Sequence, residues 1–391
     1  MPVSMLQTCV GVIGLIGLAL AAVQIVLSFT AVLVWQLRRL IAPTPAALGS
    51  TPVTVLKPLC GDEPGLYRHL RSFCEQDHPQ FQIIFGLRDA ADAALAVVER
   101  LQAEFPAVSI DVVINPLQYG ANRKSSNLIN MMAKARHDLL VIADSDTLVR
   151  ADYLRMVTAP LADRAVGLVT STYRDVPTPL LWSRLGAMYI NEWYMPSVLL
   201  TWLFGYSGYA SGQTLCLRRS TLDAIGGLEA TANYLADDYR LGELIRATGL
   251  RIVLSPALVI AEHHEPNLDL LLRHEMRWMR TIQVLRPRSY RMMFLSFNLP
   301  LASLGLLCCV WLPSLAVASW SLFGVVVFAR MGLYFAHRLG GERPVLSDIW
   351  LLPVRDLLLC WVWCRSFFAS RLTWRDREFD VDVDGVIRQE T

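Results

Sequence analysis

Uncharged apolar runs at both ends of the chain enclose a block in which apolar and polar positions alternate. No Asp, Glu, Lys or Arg occurs in residues 1–37 or 292–329, and most charged residues lie between these runs. About 20 apolar residues in helical form are enough to cross the hydrocarbon core of a bilayer. The pattern therefore predicts a polar domain, residues 50–290, between membrane segments.

The first apolar run, residues 10–35, exceeds a spanning length and ends at Arg38-Arg39. It predicts an N-terminal transmembrane anchor over residues 1–40. A cleaved signal peptide is the alternative, but its apolar region would be shorter and would follow positive residues. Because positive residues favour the cytoplasmic side, the domain that follows is expected in the cytoplasm.

The second run is nearly twice a spanning length and contains Pro300 and Pro313. It predicts a transmembrane helical hairpin over residues 292–337, with its turn near residues 312–314.

A third apolar stretch, residues 346–372, is interrupted by Arg355, Asp356 and Arg365. Unpaired charges inside a span are costly, so this stretch is either a third crossing or an interfacial segment. Residues 373–391 form a polar tail.

Inside the polar block, short apolar and β-branched runs alternate with amphipathic ones. The strands are predicted at residues 51–56, 82–87, 109–114 and 139–143, and the helices at residues 66–75, 93–104 and 126–135. Strands that alternate with helices predict an α/β fold with a mostly parallel, Rossmann-like sheet, whose ligands bind at the carboxyl ends of the strands.

Composition narrows the class of protein. Of 391 residues, 54% are hydrophobic and 18% charged, and the mean hydropathy is +0.38, which excludes an ordinary soluble protein. A net charge of +2 gives no reason to expect a nucleic-acid partner. The eight cysteines have no paired spacing and indicate neither a disulfide framework nor a zinc site.

Acidic residues follow two of the predicted strands. The second strand leads into Asp89 and Asp92, and the fourth leads into Asp144-Ser-Asp146. Two carboxylates at the edge of a sheet can hold Mg²⁺ or Mn²⁺ through oxygen ligands, and such a cation can bridge a diphosphate. The alternative is a simple turn and helix cap, for which these residue types are also typical.

A third acidic pair, Asp237-Asp238, precedes an amphipathic helix. One of the two is expected to be the N-cap of that helix, which leaves the other available as a general base. Further on, Arg277 can bind phosphate and Trp278 offers a flat face for a sugar or a lipid. An interfacial helix with a snorkelling Arg and an anchoring Trp is the alternative.

Taken together, these motifs resemble the membrane-bound, processive-type glycosyltransferases of the GT-A fold. Within that group the chain is most similar to the ceramide glucosyltransferase family and its bacterial hopanoid-biosynthesis relatives. The resemblance covers most of the chain and rests on LKPLCGDEP (56–64), SFCEQDHP (72–79), GANRKSSNL (120–128), DSD (144–146), ADDY (236–239), RW (277–278) and WR (374–375).

The resemblance implies a GT-A domain with N- and C-terminal transmembrane helices and a site for a UDP-sugar. It implies that Asp238 is the catalytic base and that Asp144 and Asp146 bind Mg²⁺ or Mn²⁺. His274 stands where the family usually has Gln or Arg. The UDP-sugar site is expected to comprise Asp89, Asp92, Lys124, Asn127, Asp144, Asp237, His274, Arg277 and Trp278.

The implied reaction is inverting transfer from a UDP-sugar to a hydroxyl of a membrane lipid, at the bacterial inner membrane. The favoured pair is N-acetylglucosamine and a hopanoid polyol; ceramide glucosylation and a diacylglycerol acceptor are alternatives, with a polysaccharide synthase more distant. The aromatic-rich segment 180–209 is expected to meet the lipid, or else to be packed core. His263-His264-Glu265 is either a metal or acceptor group or a loop with ordinary hydrogen bonds.

Overall fold

The computed structural model describes residues 5–41, 51–206, 208–339, 345–368, 372–374, 377–382 and 384–388. The chain forms two compact units. The first, here called the sheet unit, comprises Ile41–Pro177, Tyr206–His264 and Asp376–Thr391; the second, the helical unit, comprises Met1–Leu40, Thr178–Gly205 and Glu265–Arg375.

The strands and helices alternate through most of the sheet unit, as predicted. The strands are β1 (Val53–Pro58), β2 (Phe81–Leu87), β3 (Ser109–Ile114), β4 (Leu139–Ile142), β5 (Thr147–Leu148), β6 (Val166–Asp175), β7 (Leu215–Arg218), β8 (Arg251–Ala261), β9 (Leu372–Trp374), β10 (Arg377–Val381) and β11 (Ile387–Arg388). The helices are α1 (Met5–Leu40), α2 (Leu66–Cys74), α3 (Ala94–Glu104), α4 (Arg123–Met131), α5 (Tyr153–Thr158), α6 (Leu181–Tyr189), α7 (Met195–Leu203), α8 (Arg219–Ala224), α9 (Asp237–Ala247), α10 (Leu268–Leu285), α11 (Pro287–Met292), α12 (Asn298–Cys309), α13 (Ala316–Ala336) and α14 (Leu351–Ser366).

The main sheet has the order β3-β2-β1-β4-β7-β6-β8-β5. Strands β3, β2, β1 and β4 are parallel neighbours, while β7 runs antiparallel to both β4 and β6. The carboxyl ends of β1, β2 and β4 therefore meet at one edge, as the strand pattern predicted. The antiparallel β7, which the sequence did not indicate, brings the residues before it to the same edge.

Helices cover both faces of the central strands. Strands β1 and β4 are buried almost throughout, as expected of parallel strands that are covered on both sides. Leu128 of α4 and Ile245 of α9 join the apolar core formed with these strands. Helix α4 begins at Arg123, three residues before its predicted start, because the Asn122 side chain accepts a hydrogen bond from Ser125 N and caps the helix there.

The helical unit contains two helical segments long and apolar enough to cross a membrane, Met5–Leu40 and Pro313–Ala336, within the described residues. The pair Pro287–Ser296 and Asn298–Cys309, bent by 64°, is a third candidate. Helices α1 and α12 approach closely at Gly14, where a Cβ atom would lie 2.6 Å from the Gly305 carbonyl oxygen. Small residues permit such close packing of helices in a membrane.

Two of the three charges that interrupt the third apolar stretch, Arg355 and Asp356, are buried and paired, whereas Arg365 is exposed. On α14, Arg355 forms a two-bond ion pair with Glu275 of α10. Asp356 lies 3.0 Å from Arg330 of α13, which also contacts Glu192 at 3.3 Å. The cost of these charges is thus offset inside the helical unit. Helix α14 has 16 residues, so it is shorter than an ordinary span.

The aromatic-rich segment divides into packed and exposed residues. It forms α6, a π-helical stretch (Ile190–Tyr194) and α7. Tyr189 and Trp193 are buried, whereas Phe204 and Tyr206 are exposed. The packed-core interpretation therefore holds for part of the segment. The aromatic side chains near its end are exposed, as an interfacial position requires.

Candidate active site

The acidic turn Asp144-Ser-Asp146 joins β4 to β5 at the carboxyl edge of the sheet. Lys57, at the end of the neighbouring β1, donates hydrogen bonds to the Asp144 carbonyl oxygen (2.7 Å) and to Thr147 Oγ1 (3.0 Å). Burial lowers the pKa of Lys57 to about 7, although the charges of Asp146 and Asp144 oppose this shift. The turn is thus attached to β1 through a buried lysine.

Lys124, in the first turn of α4, connects the acidic turn to α9. Its Nζ lies 2.6 Å from Asp144 Oδ1 and 3.5 Å from Asp237 Oδ2. Burial opposes its charge, but the carboxylates of Asp144, Asp237 and Asp238 outweigh burial and raise the pKa of Lys124 above its usual value. Lys124 is therefore a permanent cation at the centre of the acidic groups, not an ordinary solvated lysine.

Asp238 lies in the first turn of α9 and points back to the sheet edge. Its carboxylate accepts hydrogen bonds from Gly212 N (2.9 Å) and Tyr239 N (2.7 Å). The expectation that Asp237 or Asp238 is the N-cap is wrong, because α9 begins at Asp237 and its N-cap is Ala236, which offers no side-chain acceptor. Burial and the charge of Asp237 raise the pKa of Asp238 to about 6.

Gly212 is the residue at which these groups meet, and the sequence reasoning missed it. Its N–H binds Asp238, and its carbonyl oxygen accepts from Asp144 N at 3.1 Å. A Cβ atom here would lie 2.6 Å from Asp144 Oδ2 and 2.8 Å from Lys124 Nζ. The available signal was a small residue just before β7, but its relevance depends on the antiparallel position of that strand.

His263, which follows β8, lies beside the second carboxylate of the turn. Its Nε2 is 3.7 Å from Asp146 Oδ2, and its Nδ1 is 3.2 Å from Asp175 Oδ2. A histidine whose other nitrogen is held by a carboxylate is typical of metal ligands. Asp146 Oδ1 is buried and has no hydrogen-bond partner among the described residues.

These residues fit a divalent cation in part. Within the described ranges, no three His, Cys, Asp or Glu side chains converge as a complete metal site. Mg²⁺ usually takes only one or two protein carboxylates and completes its shell with water and substrate phosphates. Asp144 and Asp146, with His263 beside them, match that incomplete donor set.

The residues predicted to contact the nucleotide mostly bind the backbone. Asp92 accepts hydrogen bonds from Gly61 N (2.9 Å) and Ala94 N (2.9 Å), and Asn127 donates to the Gly86 carbonyl oxygen (2.8 Å). Asp89 is exposed and accepts a hydrogen bond from the backbone two residues further on. Their contact with a nucleotide stays a prediction.

The last three predicted site residues belong to the helical unit, on α10. The His274 ring contacts Glu265 and stacks on Trp278, with 5.2 Å between ring centroids. Trp278 also stacks on Tyr189 at 5.2 Å. The flat face expected to receive a ligand is thus packed against neighbouring rings, and the binding roles of His274, Arg277 and Trp278 stay predictions.

The polar tail joins the loop that leads into α9. Val386 pairs with Tyr234, and Ile387 N donates to the Asn233 carbonyl oxygen at 2.8 Å. The tail therefore supports the segment just before Asp237, a contact that no local sequence pattern indicated.

A mixed sheet of this order, with an Asp-x-Asp turn and a buried carboxylate at the edge of its central strands, is an arrangement of the GT-A fold. The sequence model of glycosyl transferase family 21 matches residues 16–387, so the chain belongs to this family. It is a UDP-sugar-dependent enzyme. The predicted family, fold class and enzyme class are confirmed.

Named relatives agree with this family. Ceramide glucosyltransferase 1 of Caenorhabditis elegans is 24% identical over 369 residues, which cover 91% of this chain and 76% of the relative. Ceramide glucosyltransferase 3 of the same organism is 22% identical over 346 residues, with coverages of 86% and 74%. Among solved structures, the mannosyltransferase PcManGT from Pyrobaculum calidifontis, in complex with GDP-Man and Mn²⁺, is 18% identical, with a TM-score of 0.49 over 90% of this chain and 98% of that one.

Proposed function

We propose that this protein transfers a sugar from a UDP-sugar to a hydroxyl of a membrane lipid, with inversion at the anomeric carbon. The observation that carries the proposal is the meeting of Asp144, Lys124 and Asp238 around Gly212 at the sheet edge. The candidate membrane spans and the relatives named as ceramide glucosyltransferases support a lipid acceptor.

Each group at the sheet edge has a role in this reaction. Asp238 accepts the proton of the lipid hydroxyl while the hydroxyl oxygen forms a bond to the anomeric carbon. The bond from that carbon to the diphosphate breaks, and UDP leaves with the bonding electrons. Lys124 provides a fixed positive charge beside the diphosphate. A divalent cation held by Asp144 and Asp146, with His263 beside them, would stabilise the charge of the leaving group.

For the substrates, we favour N-acetylglucosamine as the sugar and a hopanoid polyol such as bacteriohopanetetrol as the acceptor. This choice rests on a resemblance: segments 126–131, 140–146 and 280–283 look most like the bacterial hopanoid branch. Glucose transfer to ceramide is the second candidate, favoured by the names of the relatives. We propose that the enzyme lies in the bacterial inner membrane. Its sheet unit is expected in the cytoplasm, because Arg38 and Arg39 lie in the last turn of α1.

A product assay tests this choice. The purified full chain in lipid nanodiscs receives UDP-N-acetylglucosamine, UDP-glucose or UDP-galactose with Mn²⁺ and one acceptor at a time: bacteriohopanetetrol, ceramide or diacylglycerol. Mass spectrometry should show one discrete glycolipid, N-acetylglucosaminyl bacteriohopanetetrol. Glucosylceramide would select the second candidate. A sugar polymer, or no glycolipid with any pair, would contradict lipid glycosylation.

The pKa of Asp238 predicts an acid limb in the activity profile. A general base works as the carboxylate, so kcat/KM for the UDP-sugar should fall about tenfold per pH unit below about pH 6. A bound cation favours the carboxylate and moves this limb to lower pH, never higher. Steady-state kinetics from pH 4.5 to 8 at two saturating Mn²⁺ concentrations measure the position of this acid limb. A limb that moves with Mn²⁺ concentration reports metal loss and would remove Asp238 as its cause.

A further inference from the structure

Lys57 is a buried lysine that the proposed reaction does not use. The chain has only three lysines, Lys57, Lys124 and Lys134. Two of them bind the same residue: Lys124 contacts the Asp144 carboxylate, while Lys57 donates to the Asp144 carbonyl oxygen. Asp144 is thus held at its side chain by one lysine and at its backbone by another.

The environment of Lys57 is closed and specific. Its side chain is fully buried, and its Nζ lies 2.7 Å from the Asp144 carbonyl oxygen, 3.0 Å from Thr147 Oγ1 and 3.7 Å from the centroid of the Phe73 ring. Thr147 Oγ1 donates to the same carbonyl oxygen at 2.7 Å. Burying an ammonium group is costly unless its hydrogens find partners. An apolar side chain would avoid that cost, so packing alone does not account for a lysine here.

The loop after Lys57 extends the same attachment to both neighbouring strands. Ser145 Oγ donates to Glu63 Oε2 at 2.7 Å, and Gly61 N donates to the Asp92 carboxylate. Strand β1 lies between β2 and β4, so one segment, residues 57–63, contacts the loops that follow both. Segment 57–63 therefore contacts the acidic turn at two points, through Lys57 and through Glu63.

We propose that Lys57 is a positioning residue that holds turn 144–147 in the shape that binds a divalent cation and the donor diphosphate. With the Asp144 carbonyl oxygen and Thr147 fixed, the carboxylates of Asp144 and Asp146 are carried by a rigid backbone. Such preorganisation reduces the entropy cost of binding. Lys57 touches neither substrate, and the inference rests on the proposed metal-dependent transfer.

The variant Lys57→Met keeps the length and apolar stem of the side chain but removes its donors. In the full chain without substrate, electron paramagnetic resonance of free Mn²⁺ should show a dissociation constant about tenfold or more above the wild-type value, the scale seen when groups behind metal ligands are removed. Saturating Mn²⁺ should restore kcat to within about threefold, with the acceptor KM unchanged. A folding defect alone would not weaken Mn²⁺ binding while leaving kcat at saturating Mn²⁺ and the acceptor KM nearly unchanged.

Lys134→Met is the matched control. Lys134 also donates to a backbone carbonyl, that of Val112 at 2.8 Å, but on the exposed surface at β3. Its Mn²⁺ affinity and kinetics should equal those of the wild type.

The outcomes separate this inference from the proposed function. If wild-type protein binds Mn²⁺ and Lys57→Met binds it equally well or more tightly, the positioning role is wrong and the transferase proposal stands. If wild-type protein binds no Mn²⁺, the proposed metal role fails and the inference fails with it. Should Lys57→Met not fold, Thr147→Val removes one Lys57 partner at constant shape; an unchanged Mn²⁺ affinity there would overturn the inference.

Discussion

Asp238→Asn is expected to lower kcat by about 10²-fold or more while Mn²⁺ and UDP still bind with near wild-type affinity. The amide has nearly the same size as the carboxylate, but it cannot accept the proton of the attacking hydroxyl. One amide oxygen can still accept from Gly212 N, so the sheet edge keeps its shape. Steady-state kinetics at saturating donor and acceptor, together with calorimetric titration of UDP, measure the two effects separately.

Two controls make this result specific. Asp223→Asn makes the same change on an exposed residue of α8 and should have full activity. The residual activity of Asp238→Asn should also lack the acid limb at or below about pH 6, since the group that causes this limb is gone. If the variant keeps more than about a tenth of the wild-type kcat, Asp238 is not the base and another group must take the proton.

Much of the sheet edge could be predicted because its signals are local. The apolar runs of β1, β2 and β4 alternate with helices, which predicts a parallel sheet, and Asp144-Ser-Asp146 follows β4 directly along the chain. An Asp-x-Asp sequence after a buried strand must lie at the carboxyl edge. For the same reason, the uncharged runs were sufficient to predict apolar helices of spanning length.

The remaining contacts depend on sheet order, which no local pattern specifies. Gly212 reaches Asp238 because β7 is inserted antiparallel between β4 and β6. His263 reaches Asp146 because β8 pairs with β5. The expected N-cap was wrong for a related reason: the Asp238 carboxylate accepts a hydrogen bond from Gly212 N, which lies outside the helix, as well as from Tyr239 N within it.

The charges of α14 show the same limit in the helical unit. From sequence, Arg355 and Asp356 only interrupted an apolar stretch and left a crossing and an interfacial helix both open. Their partners, Glu275 and Arg330, lie on other helices, and only the packing of those helices shows that the charges are paired inside the protein. The position of a charge along a segment therefore predicts the free-energy cost of burying it. Whether an ion pair offsets that cost depends on the tertiary packing.

Gly212→Ala is expected to lower kcat/KM for the UDP-sugar by about 10²-fold with little loss of stability. The added methyl group would lie 2.6 Å from Asp144 Oδ2 and 2.8 Å from Lys124 Nζ. Both distances are shorter than a van der Waals contact, so the two side chains must move away from the methyl group. Both atoms are at the ends of side chains, so the fold can accommodate the methyl by moving them. Those two groups are the ones proposed to bind the cation and the diphosphate, and displacement by about 1 Å in an active site can cost 10²-fold in rate.

Gly324→Ala is the matched substitution, because among the described residues no heavy atom outside the local backbone of α13 lies within 4 Å of the Cβ position at Gly324. It should leave kcat/KM unchanged, while Gly212→Ala loses activity at a melting temperature within a few degrees of the wild type. Donor kinetics and thermal unfolding of the two variants in the same nanodiscs provide the comparison. If Gly212→Ala retains full donor kinetics, Asp144 and Lys124 can move without consequence, and the donor site must lie elsewhere on the sheet edge. If Gly212→Ala loses both stability and activity, Gly212 is required for folding, and the loss of activity does not locate the donor site. Only a selective loss of donor kinetics supports the site built around Gly212.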